Sequence, residues 1–390
     1  MNYHILFRSS LPLKNSNLTT WEAACIITGY GVGGGVMSMP YLAEKSGFIP
    51  ALFIMLIALA ASYVLHLMIA DLALKTDGGQ IISCLSRFLF RGKLKGFLTG
   101  LFFVLMTLIL LTNLAGYITG AADIIVALLP ISMLAAKLIF YFAAAIVVLF
   151  GLKAVGVSEK FAVAVIFVLV GALAVFSFFV PANRVNLVNG SVRGCLAFYG
   201  MAMFAMSAFF SVPQAVEGLQ GDRQKIRKAL FLGFLNNFIL IIVVTFCAML
   251  SSKEITEVAI VGWSAGIGQW AQIVGGVFTV LAMITTYWSL SLALSSIVHE
   301  QFSLNAKLCW LAATIPSIIL ALFNIASFMD FMRLAGGLIS IIIAVMIVPA
   351  FKHAFKEVEG SILEKFGGTV TCILIIAAYI LMGIGSVVPV

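Results

Sequence analysis

The 390-residue chain alternates long, unbroken apolar runs with short polar interludes, most of them basic. A helix needs about 20 apolar residues to cross the hydrocarbon core of a bilayer. Eleven runs meet that measure, at 21–45, 49–74, 96–128, 134–151, 158–180, 195–219, 229–250, 264–298, 308–323, 331–350 and 369–388. The pattern predicts an all-α polytopic membrane protein with 11 transmembrane helices. At about 1.5 Å per residue, runs three and eight exceed the hydrocarbon thickness and must tilt or project beyond it. Between runs two and three, IISCLSRFLFRGKLK mixes apolar and basic positions as expected of a short helix lying on the cytoplasmic surface.

Two runs are interrupted. The first carries TGYGVGGGVMSMP, Thr28–Pro40, with glycines at 29, 31, 33, 34 and 35 and a proline at 40. Each Gly costs a helix interior about 1 kcal/mol and Pro about 3 relative to Ala, so this helix should break. Broken backbone at membrane depth is tolerated only where protein or a polar cavity satisfies it; the glycines would also suit close helix approach. The sixth run repeats the device in AMSAFFSVPQAVEGLQ, with Ser207, Ser211 and Pro213 at its centre. The two lie five spans apart, an odd number, so they run in opposite directions. That predicts a 5+5 inverted repeat with interrupted helices 1 and 6, the sign of a secondary transporter with a midplane site. The expected division is a cytoplasmic leader at 1–19, a first repeat at 20–180 (helices 1–5), a second at 194–350 (helices 6–10), and an accessory helix 11 at 367–390.

Composition agrees. Charged residues make up 10% of the chain and mean hydropathy is +1.16. The net charge of +8 comes from bases in short loops, which argues for the positive-inside rule and against nucleic acid. With the N-terminus cytoplasmic and the C-terminus outside, 17 of the 23 Lys and Arg fall on the inner side. No signal peptide is evident, and the expected location is the plasma membrane, the inner membrane if the source is bacterial. The six cysteines form no C-x-x-C pair, so neither a metal centre nor a redox motif is expected. The four histidines lie far apart without an H-E-x-x-H pattern, and there is no Walker motif; the chain does not read as an enzyme or an ATP-driven pump. Nothing resembles a charged pore ring, which disfavours a channel. A uniporter and a non-transporting amino acid sensor remain the alternatives.

GYGVGGGVMSMPYLAEKSGFIP resembles the helix 1 signature of amino acid permeases in the amino acid–polyamine–organocation superfamily. SVPQAVEGLQGDRQKIRKALFLG is similar to the helix 6, loop and helix 7 region of the aromatic amino acid and amino acid/auxin permeases, and LAGYITGAAD and ITTYWSLSLAL match helices 3 and 8. The resemblance implies the leucine-transporter-like fold, in which helices 1 and 6 hold substrate against helices 3 and 8. It implies a substrate site at Gly31, Val32, Gly33, Gly34, Gly35, Met37, Asn113, Tyr117, Phe204, Ser207, Ala208, Phe209 and Ser211. Tyr117 falls on the second Tyr of a family Tyr-Ala-Tyr motif, whereas Leu114 and Ala115 depart from it; Asn113 fits an interhelical hydrogen bond equally well. Thr285 and Thr286 fall where sodium-coupled relatives place hydroxyl ligands, with the carbonyls of Gly29 and Val32 opposite, although Thr in membrane helices commonly bonds its own i−4 carbonyl. Proton-coupled relatives sometimes place a helix 5 Lys there, and the candidate, Lys160, is shallow.

Glu22, His66, Asp71 and Asp123 are read as lying near helix ends or in outer thirds, which leaves Glu217, just after the second break, as proton-carrier candidate or as a structural acid. Lys14 lies 15 residues before Gly29, and Glu300 lies 14 after Thr286. Both should therefore stand about 21–22 Å from the site, as a cytoplasmic gate or as two solvated charges. The expected function is a cation-coupled symporter, driven by H+ or Na+, importing a neutral amino acid whose side chain is aromatic or large and apolar. No cofactor is expected, and the partners are that amino acid and the lipid bilayer, with no obligatory protein partner.

Overall fold

The computed structural model describes residues 17–180, 185–255, 259–323, 342–355, 360–363 and 367–389. Among them every regular element is helical: α1 (Thr20–Gly31), α2 (Gly35–Ser46), α3 (Phe48–Leu74), α4 (Ile81–Phe88), α5 (Lys95–Leu128), α6 (Met133–Leu149), α7 (Leu152–Ser177), α8 (Val192–Ala205), α9 (Ser211–Gly218), α10 (Arg223–Ser251), α11 (Ala259–Ile267), α12 (Gln269–Phe302), α13 (Ala306–Leu322), α14 (Ile342–Phe355) and α15 (Thr369–Val387), plus a 3-10 turn at Gly92–Leu94. Among the described residues, six segments are long and apolar enough to cross a membrane. The first part of the tenth run, 331–341, lies outside the described residues, as does the leader up to residue 16.

The distribution of side chains is that of a protein dissolved in lipid. Phe53, Ile57, Leu108, Val168, Ile373 and Leu374 are exposed, while Glu22, His66, Glu159, Gln214 and Asn237 are buried. A water-soluble protein shows the reverse bias.

The two interruptions form where glycine and serine weaken the helix. The first spans Val32–Gly34, between α1 and α2; the second spans residues 206–210, between α8 and α9. Neither proline marks a break. Pro40 lies within α2, five residues past its start. Pro213 is the third residue of α9, where the N–H it lacks would have no intrahelical acceptor. The breaks are thus set by small and polar residues.

Three expected boundaries shift. The fifth run is helical from Leu152, six residues before the expected 158, because Gly151 adopts φ 82° and starts the helix there. The eighth run is two helices: Gly268, at φ 143°, separates α11 from α12, a backbone state available to glycine alone at little cost. The segment read as a surface helix, α4, is instead packed into the protein, with every residue but Arg87 buried. Its exposed neighbours are the turn residues Gly92–Leu94.

Helix ends are capped by side chains where they meet polar surroundings. Thr19 and Glu22 form a capping box on α1. Asp222 caps α10 by accepting from the backbone N–H of Lys225 and Gln224, both at 3.1 Å. Those hydrogen bonds, Lys225 first, hold its carboxyl below the usual range. The chain before α1 is stitched to the end of α9 by Leu18 N–H donating to Gly218 O at 2.8 Å.

Candidate functional site

The two interruptions face one small cavity, bordered also by α5 and α12. From the first break come Gly31, Gly33, Gly34 and Gly35; from the second come Phe204 and Ser207; α5 supplies Asn113 and Tyr117. These eight are among the residues expected from sequence. Tyr30, Ala205, Thr286 and Leu290 complete the lining and were not expected there. Of the other expected residues, Val32 is buried with its N–H on Thr28 O, Met37 is buried in the first turn of α2, and Ala208, Phe209 and Ser211 pack behind the second break.

Neither half-helix that starts at a break has a side-chain cap, so the first N–H groups of α2, after Gly34, and of α9, after Phe210, are left to backbone or ligand. Helix N-termini of this kind suit a carboxylate. The Tyr117 hydroxyl meets the Gly34 backbone and the Thr286 hydroxyl. The cavity measures about 30 Å³, room for a few waters where one needs roughly 10–15 Å³. An amino acid enters only when the lining moves.

The glycine run does more than break a helix. A Cβ at Gly29 would lie 2.0 Å from Glu159 Oε2, at Gly31 2.0 Å from Asn237 Nδ2, at Gly33 2.7 Å from Thr286 Oγ1, and at Gly35 2.9 Å from Ala205 Cβ. Alternate residues from 29 to 35 therefore touch α7, α10, α12 and α8 in turn. Close approach and helix breaking are both present in one stretch.

Thr285 and Thr286 reach Gly29 O at 3.1 and 3.0 Å, and each also reaches Ala282 O, at 2.9 and 3.0 Å. Each hydroxyl has one hydrogen, so the contact across to α1 and the bond within α12 compete for it. The structure brings together Gly29, Thr285 and Thr286; among its described contacts, Val32 is not part of that cluster.

His66, expected in an outer third, is fully buried behind the second break. Its Nε2 accepts from Ala208 N–H at 2.8 Å, which leaves Nδ1 to donate to Ser62 O at 2.5 Å, so the network selects the neutral Nδ1–H tautomer. The ring stacks on Phe209, with centroids 4.9 Å apart and planes at 6°, and meets Phe234 edge-on at 4.6 Å. This side chain satisfies an amide that the break would otherwise orphan.

The acids also differ from expectation. Glu217 stands near the end of α9 against Gly78, half-buried. Glu300 accepts from Gln80 N–H at 2.8 Å and from the Ser83 hydroxyl, anchoring the start of α4. Lys14 lies outside the described residues. Lys160 is partly exposed and 3.8 Å from Glu22, which Lys153 engages at 2.6 Å. The preceding residue, Glu159, is the one that points into the protein. Its position became legible once the helix start moved to Leu152: an acid eighth in a helix is two turns deep, whereas the expected boundary at 158 had put it at the rim.

Comparison with known proteins places these features. Curated proteins yield no sequence match. Among solved structures, the fold is similar to that of Mhp1, a nucleobase-cation-symport-1 family transporter in a closed conformation with bromovinylhydantoin bound. The TM-score is 0.69 at 13% identity, covering 98% of this chain and 94% of that one. It is also similar to MhsT in complex with L-phenylalanine, with TM-score 0.66 at 16% identity over 96% of this chain and 100% of the other. The family model for tryptophan/tyrosine permeases matches residues 16–386. The chain is a multi-pass membrane transport protein, not an enzyme, and it belongs to the tryptophan/tyrosine permease family.

Proposed function

We propose that the protein is a cation-coupled secondary active transporter that imports a neutral amino acid by alternating access, with an aromatic side chain the first candidate. The observation that carries this reading is the convergence of two interrupted helices on one cavity, with uncapped half-helices starting at Gly35 and Ser211. N–H groups there would take the substrate carboxylate and break carbonyls its ammonium. Among the described residues the cavity lining contains no carboxylate, lysine, arginine or histidine, which favours a zwitterion over a cationic or anionic amino acid. Tyr30, Tyr117 and Phe204 offer aromatic faces to its side chain. Family membership and the phenylalanine bound by MhsT support the aromatic choice.

The same reading takes the chain as eleven spans in a 5+5 inverted repeat, with α1–α2 and α8–α9 as the paired interrupted helices, the N-terminus cytoplasmic and α15 accessory. Gly29, Thr285 and Thr286 form its cation site or the remnant of one. The test is uptake into proteoliposomes of a labelled panel including L-tryptophan, L-tyrosine, L-phenylalanine, L-leucine, L-arginine and L-glutamate, with sodium and proton gradients imposed separately. Concentrative uptake of a neutral member is expected; uptake of only arginine or glutamate, or only downhill flux, would overturn it.

A further inference from the structure

α15 lies outside the ten helices of the proposed repeat, yet it packs on α8, the half-helix that leads into the second interruption. Where the two cross, their backbones touch. A Cβ at Gly200 would stand 2.7 Å from Gly385 C, and one at Gly385 would overlap the Leu196 carbonyl oxygen. Small residues let membrane helices approach this closely. Two turns earlier on α15, the Ala378 carbonyl accepts from the Tyr199 hydroxyl of α8 at 3.0 Å.

The next residue of α15, Tyr379, is fully buried. Its ring meets Phe209 inside the second interruption, with centroids 6.2 Å apart and planes at 51°. Phe209 in turn stacks on His66, the side chain that accepts the Ala208 N–H. The Tyr379 hydroxyl stands near Ser62 of α3 but has no hydrogen-bond partner among the described residues. The ring, and not the hydroxyl, is therefore the engaged part of this side chain. α15 thus holds the interruption twice: Tyr199 and Gly200 fix the helix that enters it, and Tyr379 backs the aromatic residue within it. What is held adjoins the site, since Ser207 lines the cavity and the uncapped start of α9 follows at Ser211. Without the ring behind it Phe209 would face a void, and a close-packed interior fills a void by moving its wall. That movement would slide Phe209 off His66 and take the Ala208 peptide with it.

We infer that Tyr379 is a positioning residue for the substrate site, acting through Phe209 and His66 on the backbone between α8 and α9, so that the helix outside the repeat helps to build the pocket. Gly200 and Gly385 bring α15 close enough for the ring to reach. The inference rests on the transporter reading for what the pocket holds; the grip on the interruption is independent of it.

The experiment compares three variants of the full chain in detergent. Tyr379→Phe keeps the ring, Tyr379→Leu replaces it with an aliphatic chain that a membrane helix accommodates, and Gly385→Ala leaves the ring in place but lifts α15 off α8. The first arm reads hydrogen exchange by mass spectrometry on the peptide covering 204–212, with a peptide from α13 as control. An aromatic pair corresponds to about 2–13-fold in an equilibrium constant. Exchange at 204–212 should speed up by a factor in that range in Tyr379→Leu and Gly385→Ala, with the control peptide unchanged, and Tyr379→Phe should match the wild type. The second arm is calorimetric binding of the neutral amino acid that the uptake panel identifies. Affinity should weaken by the same factor in Tyr379→Leu and be restored in Tyr379→Phe, whereas a helix that merely stabilised the bundle would leave the affinity of the folded fraction unchanged. Wild-type exchange at 204–212 in Tyr379→Leu, an equal rise in the control peptide, Tyr379→Phe as impaired as Tyr379→Leu, or faster exchange with wild-type affinity would each overturn the positioning role. If no amino acid binds to the wild type but exchange behaves as stated, the transport reading fails and the hold of α15 on the interruption stands.

Discussion

His66 offers a direct test of how the second interruption is held. His66→Phe puts a somewhat larger aromatic ring in the same place, able to stack on Phe209 and meet Phe234 at its edge. It removes both nitrogens. Ser62 O is i−4 to residue 66 and retains its helical acceptor role, but Ala208 N–H loses its only described partner, at 2.8 Å. A buried donor left unsatisfied costs about 1–3 kcal/mol. Expressed as an equilibrium, that is about 5–150-fold against the interrupted conformation. Hydrogen exchange read by mass spectrometry on the peptide covering 204–212 should therefore speed up by a factor in that range. The melting temperature, followed by labelling of the buried cysteines, should fall with it. His66→Gln, which can present a side-chain acceptor to Ala208, should recover part of the loss. Wild-type exchange and melting in His66→Phe would refute the argument, because the amide would then have been satisfied some other way.

Gly33→Leu should abolish substrate binding in a folded protein, since even its Cβ would meet Thr286 Oγ1 at 2.7 Å and the Tyr117 hydroxyl at 2.9 Å; full affinity by calorimetry would remove the site from this stretch. If Gly29, Thr285 and Thr286 hold sodium, the double variant Thr285→Ala with Thr286→Ala should lose sodium-dependent stabilisation, and a wild type whose melting temperature never responds to sodium would leave coupling to the proton. Glu300→Ala removes the acceptor of Gln80 N–H and the Ser83 hydroxyl, a charge-assisted pair worth about 1.5–3 kcal/mol per bond. Faster exchange across Ile81–Phe88 is expected, with increased labelling of a cysteine placed in α1 if the same contacts serve the gate with Lys14; unchanged exchange would show that α4 is held by its apolar contacts alone.

Much of this protein could be read from the order of its residues. Run length sets which segments can cross a bilayer, so α3, α5 and α15 begin and end within one residue of the apolar runs that predict them. Glycine density in the first run and the Ser207, Ser211 and Pro213 stretch in the sixth pointed to both interruptions, because backbone propensity is local and needs no partner, although Pro40 and Pro213, read as their markers, lie inside α2 and α9. The resemblance to amino acid permeases, rather than propensity, let Gly31, Gly33, Asn113, Tyr117, Phe204 and Ser207 be named before any contact was known, and all six border the cavity. What propensity could not settle was which residue stands opposite which. Gly29 reads as a helix breaker, yet its neighbour is the carboxyl of Glu159, 130 residues away. His66 reads as a stray polar residue in an apolar run, and only the arrival of Ala208 from another helix gives it a partner. The amphipathic stretch at Ile81–Phe88 suits a surface, and burial came from the helices that cover it. Lipid-facing and core-facing helices are both apolar, so hydropathy cannot say which polar side chain turns inward. That choice is made by packing, where each buried polar atom has to find its partner across the bundle.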